Sequence, residues 1–371
     1  MPSQQPRVVV YGASGYTGKL IAEYLVRQRI PFVAAGRSAE RLRAEMATVP
    51  GLAGADVPVV AVAHERAALR RLFQDAAVVV NVVGPFGQLG RPVAEAALDA
   101  GCHYLDTTGE QDWVKLVRDE LGAAFAARER AVVPATAWMW AAGQLVAEAC
   151  LETPGVDSLD IVYAPNGAPT IASTLSFLRM CTKDQYMLVN GALATWPPAT
   201  AVSVTAPHTH DVLVGLPWGG GCEPLWYEHD PRVRNVRVVV GFPKNPFVDW
   251  LLGKMAEYLE ASRGLTPAAA EELTNAWGRE VAFTPPREIE DVNRCVVSCR
   301  ARGRLVGREV AAFGTAPYLQ TGALAAEATR RLLAGAHRAV GFASPAAAFG
   351  ARALSAALDD AGLLGAVRTA G

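Results

Sequence analysis

Short apolar runs recur along this chain between stretches with helical spacing, and their order predicts its architecture. Residues 7–37 (RVVVYGASGYTGKLIAEYLVRQRIPFVAAGR) pass from an apolar strand through a glycine-spaced turn into an amphipathic helix, and then into a second apolar strand. The alternation continues with a strand over 58–62, a helix over 65–74 and a run over 76–83 that is apolar except for Asn81. A helix over 91–100, a short strand at 103–105, a helix over 113–128 and a strand over 131–133 follow. Strands apolar on both faces belong in a parallel sheet covered by helices. The pattern predicts an α/β, doubly wound parallel sheet of six strands over residues 1–150.

From about residue 151 to 313 the pattern becomes a mixture of strands and helices. It is punctuated by Trp196-Pro197-Pro198 and by Pro217-Trp218-Gly219-Gly220-Gly221. The best strands are 158–163, 233–241, 294–301 and 304–313, the last two joined as a hairpin around Gly303. This predicts a second, α+β domain over 151–313 for substrate binding and dimerisation, inserted before a closing helical segment, 314–371.

The 371 residues are 51% apolar and 19% charged, a composition that fits two ordinary cores and excludes disorder. A formal charge of -1 supplies no basic field for nucleic acid. The opening seven residues are short and polar, without the features of a secretory signal, so a cytoplasmic location is expected. The uncharged stretch 131–147 is broken by Pro134 and Gln144 and reads as a strand followed by a core helix, so no transmembrane segment is expected. Six cysteines lie scattered without a CxxC pair, as reduced core residues do. His208 and His210 would share a strand face, but no third ligand stands at a recognisable spacing and no metal is expected.

The first turn carries the clearest chemistry. Gly12, Gly15 and Gly18 stand where a chain leaves a strand, approaches a pyrophosphate and packs a helix on the sheet, as in a Rossmann-type dinucleotide site. The helix N-terminus favours phosphate, Ser14 and Thr17 offer hydroxyls, and Tyr16 can lean over the mouth of the site. NAD sites usually end the second strand in a carboxylate, whereas here stand Arg37 and Ser38, with Arg41 one helical turn on. Guanidinium groups there attract a 2′-phosphate, which predicts NADP(H) over NAD(H). In open parallel sheets ligands sit beyond the carboxyl ends of the strands. The loop Val83-Gly84-Pro85-Phe86 would run along the cofactor with Phe86 near the nicotinamide. The loop 104–110 would bring Asp106 near the nicotinamide ribose, although capping of the next helix by Thr107 or Thr108 also explains its composition.

The segments VYGASGYTG, AGRS, VVGPF and HYLDTTGE, with GFASPAAAFG near the end, resemble the saccharopine dehydrogenase-like oxidoreductases. The resemblance implies a closing segment that returns to the first domain, a homodimer, and hydride transfer to or from a small molecule. After the sixth strand, where relatives carry a GFDSVPSD-like loop, this chain has Pro134-Ala135-Thr136-Ala137-Trp138-Met139-Trp140. Trp138 and Trp140, with Phe86 and Tyr163, are then candidates to line an apolar substrate pocket, and core packing is the competing account of the two indoles. For the proton, the cluster 223–230 offers Tyr227 or His229, although a surface turn anchored by its aromatics would look the same. No YxxxK motif follows the fourth or fifth strand, which sets a short-chain dehydrogenase mechanism aside.

These readings converge on a reductase acting on a C=C or C=N bond of an apolar or carrier-bound metabolite. Two alternatives stay open. One is an amino-acid (secondary amine) oxidoreductase like saccharopine reductase, whose carboxylates would call on Arg232, Arg234 and Arg237. The other is a non-catalytic NADPH-binding sensor or scaffold.

Overall fold

A computed structural model describes residues 7–197, 200–207, 211–244, 246–281 and 283–368. His208 and His210 lie outside the described residues. In chain order the strands are β1 Val8–Tyr11, β2 Val33–Gly36, β3 Val59–Ala61, β4 Val78–Asn81, β5 His103–Asp106, β6 Ala131–Val133, β7 Ser158–Pro165, β8 Tyr186–Val189, β9 Ala192–Thr195, β10 Val202–Thr205, β11 Val212–Leu216, β12 Asn235–Pro243, β13 Arg294–Arg302, β14 Gly307–Thr315, β15 Gly341–Phe342 and β16 Leu364–Arg368. The chain forms two compact units. The first comprises Met1–Thr108, Trp113–Ala141 and Tyr318–Ala361; the second comprises Gly109–Asp112, Ala142–Pro317 and Gly362–Gly371.

The first unit is the doubly wound domain. Its sheet runs β15-β6-β5-β4-β1-β2-β3 with every pairing parallel. β1 (VVVY) and β4 (VVVN) are buried along their whole length, because β-branched side chains fill both faces of the pleat. The helix Tyr16–Arg27 turns Leu20, Ile21, Tyr24 and Leu25 inward, and the helix Arg66–Phe73 buries Leu69 and Phe73, one turn apart. Each such large side chain taken from water contributes about 1.5–3 kcal/mol.

Strand order reverses between β1 and β4, the switch point at which doubly wound sheets open a crevice. The seventh strand, β15, adds two residues at the β6 edge, too few for alternation to reveal. The helix expected over 113–128 is three pieces, Gln111–Leu116, a wide turn Val117–Leu121 and Gly122–Ala127.

The second unit is built on the sheet β10-β11-β12-β7-β13-β14-β16, with β8 on β12 and β9 on β8. Among the described residues, only β12 and β7 of this sheet pair in parallel; the other neighbours are antiparallel. The hairpin expected around Gly303 is β13–β14, closed at Arg302 and Gly307. Among the described residues, no helix is long and apolar enough to cross a membrane.

The closing segment needs a correction. The helices Pro317–Leu333 and Ala351–Asp360 lie almost wholly in the first unit, but Gly362–Gly371 falls in the second, where β16 pairs with β14. A strand beside β14 gives that edge's backbone donors and acceptors partners, which a helix there would not.

Candidate functional site

At the switch point the backbone itself makes the site. Gly12 has φ +95°, and its N–H donates to the Ala35 carbonyl at 2.8 Å. A Cβ on Gly12 would stand 2.8 Å from Val83 Cγ2 and 3.2 Å from the Val82 carbonyl oxygen, so the turn after β1 touches the loop after β4. A Cβ on Gly18 would overlap the Gly12 carbonyl, which brings the helix hard against the turn. Gly15 is exposed and caps the helix Tyr16–Arg27 without a side-chain hydrogen bond. The side chains of Ser14, Tyr16 and Thr17 are half-buried, with the Tyr16 ring edge-on to Tyr318 at 5.1 Å. The glycine turn and the Val82-Val83 segment thus meet.

The end of β2 is cationic. Arg37 and Arg41 are exposed, and neither enters an ion pair among the described residues. Ser38 accepts from the Arg41 N–H at 3.2 Å and so caps the helix Ala39–Ala47. One neighbour escaped the sequence reading. His64, just beyond β3, lies with its Nδ1 2.8 Å from the Tyr11 hydroxyl oxygen. Its signal was positional, since β3 follows β2 in the sheet and its carboxyl end borders the same corner.

Asp106 is held in a network at the strand ends. Its carboxylate is fully buried and accepts from Thr108 N–H at 3.1 Å, Ala135 N–H at 3.0 Å, Trp113 Nε1 at 2.8 Å and the Tyr104 hydroxyl at 3.0 Å. Asn81 donates to the Tyr104 oxygen at 3.0 Å and accepts from Val83 N–H at 3.0 Å. One chain of hydrogen bonds therefore fixes the loops after β4, β5 and β6. Burial pushes the carboxyl up to about 6, and these donors restrain the rise. With both oxygens spent on the protein, Asp106 is a positioning residue rather than a ligand.

Four more candidates are buried. Phe86 is 6% exposed and packs in the core of the first sheet, because its helix turns the ring inward. Trp138 and Trp140 are buried too, as core indoles rather than an open lining. In the second unit Tyr163 is fully buried, its hydroxyl donating to Glu223 Oε1 at 2.8 Å and accepting from Gly143 N–H at 2.7 Å.

The proposed proton donors do not come together. Tyr227 is buried and donates to Glu148 at 2.9 Å, while burial and that carboxylate raise its pKa well above the ordinary phenol value; His229 is exposed. Glu223 is the unexpected ionisable group: burial pushes it up to about 8, with its second oxygen buried and unpartnered among the described residues. Among the described residues no cluster of three or more His, Cys, Asp or Glu could hold a metal.

The sequence between Thr108 and Trp113 supplies the second unit with a buried ion cluster. Arg179 donates to Glu110 at 2.8 Å through Nε and to Asp112 at 2.8 Å through Nη1, and Ser176 donates to Glu110 at 2.6 Å. Gln111 bonds the backbone of Tyr186 in both directions and the Gly221 carbonyl. Glu110, the last residue of the loop 104–110, is thereby committed inside the second unit.

Comparison with known proteins matches residues 8–149 to the saccharopine dehydrogenase NADP binding domain and residues 141–368 to a family of unknown function, DUF5938. The chain is 34% identical over 141 residues to a lipid droplet localized protein of Caenorhabditis elegans, covering 36% of this chain and 33% of that one. It is 40% identical over 106 residues to a trans-acting enoyl reductase of Mycobacterium bovis, covering 28% and 25%. The matches thus span a third or less of these relatives' length. Saccharopine dehydrogenase (L-Glu forming) from Saccharomyces cerevisiae shares the fold, with a TM-score of 0.62 over 98% of this chain and 99% of that one at 14% identity.

Proposed function

The chain belongs to the DUF5938 family and carries a saccharopine dehydrogenase NADP-binding domain, so it binds NADP(H), and on that premise we propose that it is an NADPH-dependent reductase of a C=C or C=N bond in an apolar or carrier-bound metabolite. The observation that carries this reading is the corner made by β1, β2 and β4. It holds a tight glycine turn against the Val82 backbone and the Val83 side chain, beside two exposed guanidinium groups that enter no ion pair among the described residues.

In this reading the N-terminus at Gly15 and Tyr16 receives the pyrophosphate, helped by Ser14 and Thr17. Arg37 and Arg41 receive the 2′-phosphate, beside Ser38. The backbone of Val83, Gly84 and Pro85 lines the dinucleotide, and the Asp106 network keeps the three strand-end loops in place. NADPH supplies the hydride, and the protein's task is to orient the acceptor and exclude water. Proton delivery is not assigned to Tyr227 or His229.

The name of the mycobacterial relative supports an enoyl acceptor. A tricarboxylate-like amine acceptor has less support, because Arg232 is paired with Asp230 and Glu148, and Arg237 with Asp160. A homodimer in the cytoplasm accompanies this reading, to be tested by light scattering and fractionation. The activity test is NADPH oxidation by the purified protein with enoyl thioesters and cyclic imines in parallel. Turnover of enoyl compounds supports the proposal. NADPH binding without turnover of either class would leave a sensor or scaffold instead.

A further inference from the structure

Three strand ends meet at one corner of the first sheet. The register pairs Tyr11 with Ala35 and Gly36 with Ala61, so Tyr11, Arg37 and His64 stand at or just past neighbouring carboxyl ends. The His64 ring stacks on Tyr11 with centroids 5.8 Å apart and planes 13° from parallel, and its Nδ1 shares a hydrogen bond with the Tyr11 hydroxyl at 2.8 Å.

The groups acting on the imidazole come from each neighbouring element. β1 supplies Tyr11, itself held neutral by burial, and the end of β2 supplies the Arg37 cation. The helix Phe86–Ala100 supplies the Leu89 backbone, and on its own segment Glu65 is exposed. Burial and the Arg37 charge hold the ring below the ordinary imidazole range, while Leu89 favours the protonated form. Burial, the larger cause, stays when a ligand binds, but the Arg37 contribution can be offset, since a 2′-phosphate brings about −1.5 to −2 charges to this corner at neutral pH. That charge more than cancels Arg37, and the protonated ring already has an acceptor for its Nδ1 proton, the Tyr11 oxygen, while its Nε2 is buried without a hydrogen-bond partner among the described residues.

We propose that His64 is a proton-linked element of the cofactor site: it takes up a proton when a dinucleotide bearing a 2′-phosphate binds against Arg37, and stays neutral with one bearing a 2′-hydroxyl. The proposal rests on the NADP(H) reading of the first unit. The linkage makes preference for the phosphorylated cofactor rise as pH falls through the imidazole range. The phosphate's own ionisation works the other way, favouring the dianion at higher pH, so the effect of His64 is the difference between wild type and a variant at the same pH.

The test is calorimetric titration with NADPH and with NADH near neutral pH, each in two buffers of different ionisation enthalpy. Wild type, His64→Gln and Tyr11→Phe are compared. With NADPH, wild type should take up more protons than His64→Gln, and Tyr11→Phe, which keeps the ring but removes its hydroxyl partner, should fall between them. With NADH the three should agree. Between about pH 8 and about pH 6 the NADPH affinity of wild type should rise relative to His64→Gln by up to about tenfold. Equal proton exchange by wild type and both variants, with NADPH still bound, overturns the role of His64 and leaves the cofactor site standing. Failure of wild type to bind NADPH at all overturns the cofactor site and the proposal with it.

Discussion

Two sets of arginines, one in each unit, are used in opposite ways. In the second, Arg179 is buried between Glu110 and Asp112, while at the surface Arg232 pairs with Asp230 and Glu148, and Arg237 with Asp160. In the first, Arg37 and Arg41 stand exposed at the end of β2, neither in an ion pair among the described residues, beside a helix N-terminus without a side-chain cap. A charge with its counterion built in holds structure together, whereas one kept beside an oriented backbone is available to a ligand. The contrast puts cofactor recognition in the first unit and assigns the ion pairs of the second to stability.

The largest effect should come from breaking a pair in the second unit. Arg179→Ala leaves the Glu110 carboxylate buried without its cation, and should cost about 3–5 kcal/mol in urea unfolding. NADPH affinity measured below the transition should not change. A marked loss of affinity without loss of stability would erase the contrast.

The buried carboxyl of Glu223 gives the next effect, and its sign follows from linkage. Burial raises its folded pKa to about 8, so between the ordinary carboxylate range and that value the folded chain keeps a proton that the unfolded chain releases. Its stabilising contribution is present in acid and is lost as pH rises through about 8, by an amount on the order of a few kcal/mol. Denaturation midpoints should therefore fall between about pH 5 and about pH 8.5 in wild type, and fall less in Glu223→Gln. Equal slopes in the two proteins would assign the pH dependence to other groups.

Smaller still is the effect expected at the ligand-facing corner. Arg37→Asp should weaken NADPH binding by about 1–3 kcal/mol, the range of a charge-assisted contact, and leave NADH nearly unchanged. Equal losses for the two cofactors would remove Arg37 from 2′-phosphate recognition.

What could be read from the sequence follows the same division. The turn from Tyr11 to Gly18 declares itself because its work is done by local backbone geometry, and Arg37 because the end of β2 has a fixed relation to the ribose. Asp106 also stood out, but its role depends on Ala135 and Trp113, which the fold brings to it from later in the chain. Phe86, Trp138 and Trp140 stood as candidates for a pocket lining, with core packing the competing account of the indoles, and all three are buried, because composition gives the residue type and not the face it packs on. β15 has two residues and β16 five, too little pattern to stand out, and β8 to β11 likewise acquire their identity from partners elsewhere in the chain. Glu110 looked like part of a strand-end loop until Arg179, 69 residues away, claimed it.

The most direct measurement is a titration of wild type and Gly15→Val with NADPH and NADH, followed by quenching of tryptophan fluorescence. Gly15 is exposed and a Cβ there would meet only the Gly12 carbonyl oxygen, at 3.3 Å, so the variant should fold while its side chain stands over the helix N-terminus. Wild type should bind NADPH more tightly than NADH, and Gly15→Val should lose both with its unfolding midpoint nearly unchanged. Undiminished NADPH binding by the folded variant would contradict the placement of the pyrophosphate at this turn.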